Sequence, residues 1–353
     1  MKKLLVFIFS AVLLGSCEEK ITLLTDENFE KTLIDYGYDD VIDGKILTSN
    51  IENIDSLEIR DRKGEIKSIV GISDFRSLKH FKFRGDLLNI DLSNNSELNS
   101  LDITSPIEIL DLSQNKSLKV LEFSGRNLKS LTLPQSNLLE KVFLYRCHKI
   151  KNLNFDYNVN LNELQIDMEG YNCKLKDLII NKNTALKKLV LRNIRNDTRN
   201  DKGGFYFDIN KNTELEEIDF YKVYMLNQIG PEGIYDNSTL NFSSNPKLKK
   251  LSLYGTRFHN LDILNNQNLT FLNIYDTYLE TLNIFNNPNL DIDNISYDSE
   301  RTTIYNTEYE REVDTSEDEY FRLSELGYSE EDIEKILSGA PESDFEPMPE
   351  EMR

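Results

Sequence analysis

The sequence predicts a solenoid of about nine coils of ~21 residues, with parallel strands on two faces, a small α/β cap before the coils and short helices after them. Three observations predict it. Leu261, Ile263, Asn266 and Leu269 return 21 residues later as Leu282, Ile284, Asn287 and Leu290. A second alternating pair, Leu272 and Ile274, lies between these anchors. The same spacing recurs upstream as far as Ile90. Apolar residues at i and i+2 share one face of an extended segment. A single coil leaves its apolar edges bare, so it must stack on copies of itself.

The chain opens with Lys2 and Lys3 before an apolar run, Leu4 to Leu14. Eleven residues are too few to span a bilayer as a helix, and the run reads as the core of a secretory signal. It ends in Leu14-Gly15-Ser16-Cys17, which resembles the lipobox of bacterial lipoproteins. The resemblance implies cleavage after residue 16, with Cys17 as an acylated mature N-terminus carrying three chains after full processing. Several chains anchor firmly, since each buried CH₂ adds ~0.8 kcal/mol. Glu18 and Glu19 resemble the acidic signal that sends lipoproteins of Bacteroidota to the outer leaflet of the outer membrane. The expected location is the bacterial outer membrane, facing outward.

Residues 17–65 read as an N-terminal cap. Thr25 is placed to N-cap a helix, with Asp26 and Glu27 in its first turn and Gly37 as its stop. Phe29 and Leu33 share a face of that helix. Asp39, Asp40 and Asp43 lack calcium-loop spacing and read as a polar turn. The segment from Asn28 to Phe81 resembles the opening of secreted repeat proteins of flavobacteria, and its task is to cover the first coil.

In chain order, the first strand of each coil is Ile90-Leu92, Leu110-Leu112, Leu131-Leu133, Leu153-Phe155, Leu178-Ile180, Phe207-Ile209, Leu240-Phe242, Leu261-Ile263 and Leu282-Ile284. Three residues past each pair stands Asn95, Asn115, Ser136, Asn158, Asn183, Asn212, Asn245, Asn266 or Asn287, and three further on is always Leu. This pattern, LxxLxLxxNxxL, is similar to that of the leucine-rich-repeat family over residues 66–295. The inward Asn amide is expected to donate and accept hydrogen bonds between coils, as structure rather than as a site. The second strands run from Leu101-Ile103 to Leu272-Ile274. With ~21 residues per coil there is little room for a convex helix, and eight steps of ~4.8 Å give a repeat body roughly 40 Å long.

Outward positions of the first strands are short and polar, for example Asp91, Ser93, Asp111 and Ser113. Those of the second strands include Phe143, Tyr145, Arg192, Tyr221, Tyr254 and Tyr275, with Arg146 and Lys222 beside them. Tyr and Arg are enriched at interface hot spots, which makes these eight residues the candidate protein-binding face. The alternative is simple strand propensity, which also favours Tyr and Phe. First-strand spacing widens from 20–22 to 25, 29 and 33 before returning to 21. The extra residues, Met168 to Lys174, Asn193 to Gly204 and Tyr224 to Ser238, should leave one edge beside the aromatic stripe. Drift in tolerant loops would produce the same lengths. Cys147 and Cys173 occupy similar positions in successive coils. They form either a disulfide, which an exported compartment permits, or two small buried core residues.

Residues 296–339 read as a C-terminal cap with helices near Ser316–Leu326 and Ser329–Leu337, and 340–353 as an acidic disordered tail. From Asp298 to Arg353 there are 19 acidic and 5 basic residues, which is -14 of the net -20. That balance opposes electrostatic binding of nucleic acid. Three His, far apart in the repeat register, and three Cys leave little for a zinc site or a nucleophilic pair. No hydrolase, zinc-protease or P-loop motif is present. The expectation is a non-enzyme without cofactor or metal, whose partners are a protein and a membrane reached through its lipid. A glycan-binding part of a nutrient-uptake system and a passive envelope component are the competing readings; a glycan platform would favour Trp, and the chain has none.

Overall fold

The computed structural model describes residues 19–169, 173–194, 205–223, 239–256 and 258–307, with positions 328, 329, 333 and 335. Cys17 and the signal, most of the three insertions and most of the tail helices lie outside the described residues. Two compact units are distinguished, one of Met1–Leu282 with Asn286–Thr303 and one of Asn283–Phe285 with Ile304–Arg353.

The first unit is built on one continuous parallel sheet of eleven strands. In order these are Ser56–Arg60, His80–Arg84, Ser100–Thr104, Val120–Ser124, Lys141–Tyr145, Glu163–Asp167, Lys188–Arg192, Glu217–Tyr221, Lys250–Ser252, Phe271–Asn273 and Ile295–Ser296. Ten steps of ~4.8 Å make this sheet about 48 Å long. It starts at Ser56, ahead of the residue-66 start that the repeat pattern gave. The reason is local: Leu57 and Ile59 alternate like every later pair, and both are buried. The strands' apolar residues point inward, and most coils add a fully buried layer such as Leu101, Ile103, Leu110 and Leu112, while Leu131 and Leu133 are only partly buried. Burial of each such side chain is worth about 1.5–3 kcal/mol.

The opposite face is broken. Its strands pair only in small groups: Ile109–Asp111 with Ser130–Thr132, Asn152–Asn154 with Asp177–Ile179 and Tyr206–Phe207, and Thr239–Asn241 with Asn260–Asp262. The short polar residues that end these strands explain the brevity. The Oδ1 atoms of Asp91, Asp111, Asn154, Asp208, Asn241 and Asp262 each accept the N–H two residues on, at 2.7–3.1 Å. An Asx turn of this kind bends the chain away from the ladder. The bond to Ser93 also holds the Asp91 carboxyl below its usual range.

Beside that face runs the Asn column, and it behaves differently from the expectation of donating and accepting at once. Each amide nitrogen donates twice to the coil before it: Asn115 Nδ2 reaches Leu92 O and Asn95 O, both at 2.9 Å, and Asn95 Nδ2 reaches Ile72 O and Phe75 O at 3.0 and 2.9 Å. The Oδ1 atoms of Asn95, Asn115, Asn183, Asn212, Asn245, Asn266 and Asn287 are buried and accept nothing. The turn has no N–H left for them, because those groups are spent within the turn, as in Asn115 N to Leu112 O and Leu118 N to Asn115 O, both at 3.0 Å. The column is a stack of two-pronged donors. Ser136 interrupts it: its hydroxyl donates to Lys116 O at 2.7 Å and accepts from Leu138 N at 3.1 Å.

The N-terminal helix spans Glu27–Asp35, and its cap is Asp26, one residue later than the sequence indicated. Asp26 Oδ1 accepts from Asn28 N and Phe29 N, while its Oδ2 accepts from Lys67 N and Ser68 N at 2.7 and 3.0 Å. Thr25 turns instead to Ser68 Oγ. The helix ends in a Schellman motif: Gly37, at φ 79, sends its N–H to Ile34 O and Tyr38 N reaches Leu33 O. Glu30 Oε1 accepts from Asp43, Gly44 and Lys45 N–H groups, which fixes the acidic turn. In the second unit, Ile284 N donates to Tyr305 O and Asn283 Nδ2 to Thr307 O, both at 2.9 Å.

Candidate binding face

The eleven-stranded sheet presents three outward rows, set by the first, third and fifth strand positions. The first and third rows carry cross-strand ion pairs: Lys82–Asp102 at 2.7 Å, Lys141–Glu163 at 3.3 Å and Lys188–Glu217 at 3.0 Å. The fifth row is different. Parallel register brings Tyr145, Asp167, Arg192 and Tyr221 into line. Tyr254 and Tyr275 extend it: the Tyr221 and Tyr254 rings stack at 5.1 Å and 9°, and the Tyr254 and Tyr275 rings at 5.9 Å and 16°.

Seven of the eight candidate residues therefore share one row or its flank. Tyr145, Arg192, Tyr221, Tyr254 and Tyr275 form the row, and Lys222 lies over the Tyr221 ring at 5.0 Å from its centroid. Arg146 occupies the same flank position as Lys222 in an earlier coil, and Phe143 stands in the middle row opposite Gln165. The sequence reading missed the acidic partners. Arg192 Nε donates to Asp219 Oδ2 at 3.2 Å, and Asn193 Nδ2 to Asp167 Oδ1 at 2.9 Å. Arg146 pairs with Glu169. Such partners were legible only as outward acids on neighbouring coils. The Asp219 bond raises the Arg192 guanidinium above its ordinary value, and the Glu169 bond does the same for Arg146. Burial, followed by the carboxylates of Glu122, Asp167 and Glu163, pushes the Tyr145 hydroxyl up.

The flank is conformationally unusual. Arg146, Asn193, Lys222 and Asp276 have φ between 53° and 61°, and Gly255 in the same column has φ 64°. The left-handed region costs a side chain about 1–2 kcal/mol, and strain of this kind persists where the surrounding structure holds it. Arg146→Gly is expected to raise the unfolding free energy by about 0.5–1 kcal/mol, the strain released less the added backbone entropy. Urea titration measures it, and a loss of stability would mean that the exposed Arg146–Glu169 pair outweighs the strain.

Cys147 and Cys173 are buried free thiols. Burial raises the Cys147 thiol to about 12 and the Cys173 thiol to about 11. Cys147 Sγ donates to Tyr145 O, and Leu175 N donates to Cys173 Sγ. Among the described residues no group of three or more His, Cys, Asp or Glu is arranged to hold a metal ion.

No family model and no curated protein matches this chain. Solved structures do. An internalin from Listeria monocytogenes is 19% identical, covers 78% of this chain and 77% of its own, and superposes with a TM-score of 0.55. The functional domain of InlJ from the same organism, which includes a cysteine ladder, is 16% identical with a TM-score of 0.46 and covers 81% of this chain. This chain spans only 62% of that domain. A leucine-rich-repeat protein of Leptospira interrogans is 16% identical, covers 72% of this chain and 80% of its own, and has a TM-score of 0.36. At such identities likeness speaks for fold, and the fold of this chain is a leucine-rich-repeat solenoid.

Proposed function

We propose that this chain is a non-catalytic, lipid-anchored scaffold of a bacterial outer membrane, turned to the cell exterior, that binds a protein through the aromatic row of its continuous sheet. The residues ahead of Ser56 cap the first coil, and the repeats run from there to residue 295. Cys17 holds the lipid. No helix among the described residues is long and apolar enough to cross a membrane.

The stacked column of Tyr221, Tyr254 and Tyr275 carries the binding reading. Tyr221 ends a strand, Tyr254 and Tyr275 lie in the turns just past theirs, and the mutual stacking of the three rings lowers the ordering cost on association. Arg192 and Lys222 stand beside the column, the residue mixture of interface hot spots. The geometry also weighs against a glycan platform. A sugar packs on an open ring face, and here neighbouring rings cover one another's faces.

A photo-crosslinking amino acid at position 254, in cells of the native host, tests this. A discrete protein adduct is expected there and none from position 241 on the opposite face. Tyr221→Ala with Tyr275→Ala should lower the adduct yield about tenfold or more. Equal yields from the two faces would end this reading.

A further inference from the structure

The N-terminal hairpin exposes aliphatic side chains in the wrong place for a surface facing only water. Ile21–Leu23 pairs antiparallel with Lys45–Leu47, and Ile21 stands directly opposite Leu47. Thr22 and Ile46 point inward and are buried. On the outward face Ile21, Leu23 and Leu47 are 49%, 68% and 36% exposed, and Lys45, opposite Leu23, shares that face. Scattered exposed aliphatics are ordinary, but a contiguous patch marks a contact surface. The buried side of the pair packs on the first coils: a Cβ on Gly71 would lie 2.8 Å from Leu24 Cδ2 and 3.1 Å from Thr22 Cγ2.

The position of this patch in the chain selects its occupant. Ile21 is four residues from Cys17. Four extended residues span at most about 14 Å, and the headgroup layer is only about 5–8 Å deep per leaflet. A lipid on Cys17 would hold the hairpin within reach of the boundary between headgroups and acyl chains. We propose that the outward face of this strand pair docks on the lipid surface and sets how the solenoid stands on the membrane. The inference rests on lipidation of Cys17.

The test uses the mature full-length chain, reconstituted in phosphatidylcholine vesicles whose acyl chains are brominated. A thiol-linked fluorophore is attached in turn to the Leu23→Cys, Leu47→Cys and Asn210→Cys variants; Cys147 and Cys173 are buried and stay unlabelled. Emission should fall about twofold at positions 23 and 47 and stay unchanged at 210. Lipidation is read separately, by thiol titration of the denatured parent chain. Of three cysteines, two should react when Cys17 has lost none of its acyl chains, and three when it carries none. Three reactive thiols would remove the anchor and this docking together. Two thiols with no quenching at 23 would overturn the docking alone. Vesicle-independent shielding at 23, with a doubled mass in the Cys17→Ser chain, would assign the patch to a second copy and overturn it as well.

Discussion

Asn115→Ala is expected to lower the unfolding free energy by about 2–4 kcal/mol, against less than about 0.5 for Gln114→Ala beside it. Asn115 is fully buried and Gln114 is exposed. The substitution removes two donors at once, those to Leu92 O and Asn95 O. Each carbonyl keeps one partner, from Asn95 N and Leu98 N, so neither is wholly orphaned. That moderates the cost to about 1 kcal/mol per lost bond, with a further share from the cavity left by the amide. The position sharpens the outcome. The next coil carries Ser136, which sends no amide back to the Asn115 turn. A stack of coils has a stability that is close to a sum over neighbours. Weakening the interface beside a gap should therefore split a single urea transition into two, followed by circular dichroism and Tyr fluorescence. One unshifted transition would show that leucine packing alone couples these coils.

The repeat body was legible because one physical requirement is written nine times. Every inward pair named from Leu101-Ile103 to Leu272-Ile274 is buried. Three things were not legible, each because a second partner decided it. Thr25 and Asp26 are equal cap candidates in sequence; Asp26 wins because its other oxygen binds Lys67 and Ser68, some forty residues on. The unused acceptor half of the Asn column depends on which turn N–H groups are already spent. The Asx turns that shorten the second face are built from residues that read equally well as outward strand positions. The candidate face was half visible. Period-2 patterning placed Tyr221, Tyr254 and Tyr275 outward, but their parallel stacking, and the carboxylates that neutralise Arg146 and Arg192, required three-dimensional register.

Gly125→Ala is expected to cost about 3 kcal/mol or more, the upper range of overpacking, although Gly125 needs no left-handed backbone. A Cβ there would stand 2.9 Å from the Phe123 ring and far inside contact distance of Ser105 O. The ring can turn; the carbonyl cannot. Ser105 is tied down by its N–H to Ser124 O at 3.0 Å and by its hydroxyl to Gly85 O and Leu87 O, at 2.8 and 3.2 Å. Moving Ser105 O would pull apart three successive coils. A second substitution separates the two obstacles. If the Phe123 ring were the barrier, Phe123→Leu would make Gly125→Ala cheaper, giving a coupling of about 1 kcal/mol or more in a double-mutant cycle. The geometry predicts additivity within about 0.5 kcal/mol, because the backbone clash remains when the ring is gone. Gly255→Ala, at φ 64, should differ in kind. Its Cβ would meet Lys222 Cγ at 2.8 Å, so a side-chain clash should add to about 1–2 kcal/mol of backbone strain. Thermal and urea unfolding of the four variants would rank them, and a Gly125→Ala chain as stable as the parent would mean that coils at this edge slide more freely than their hydrogen bonds allow.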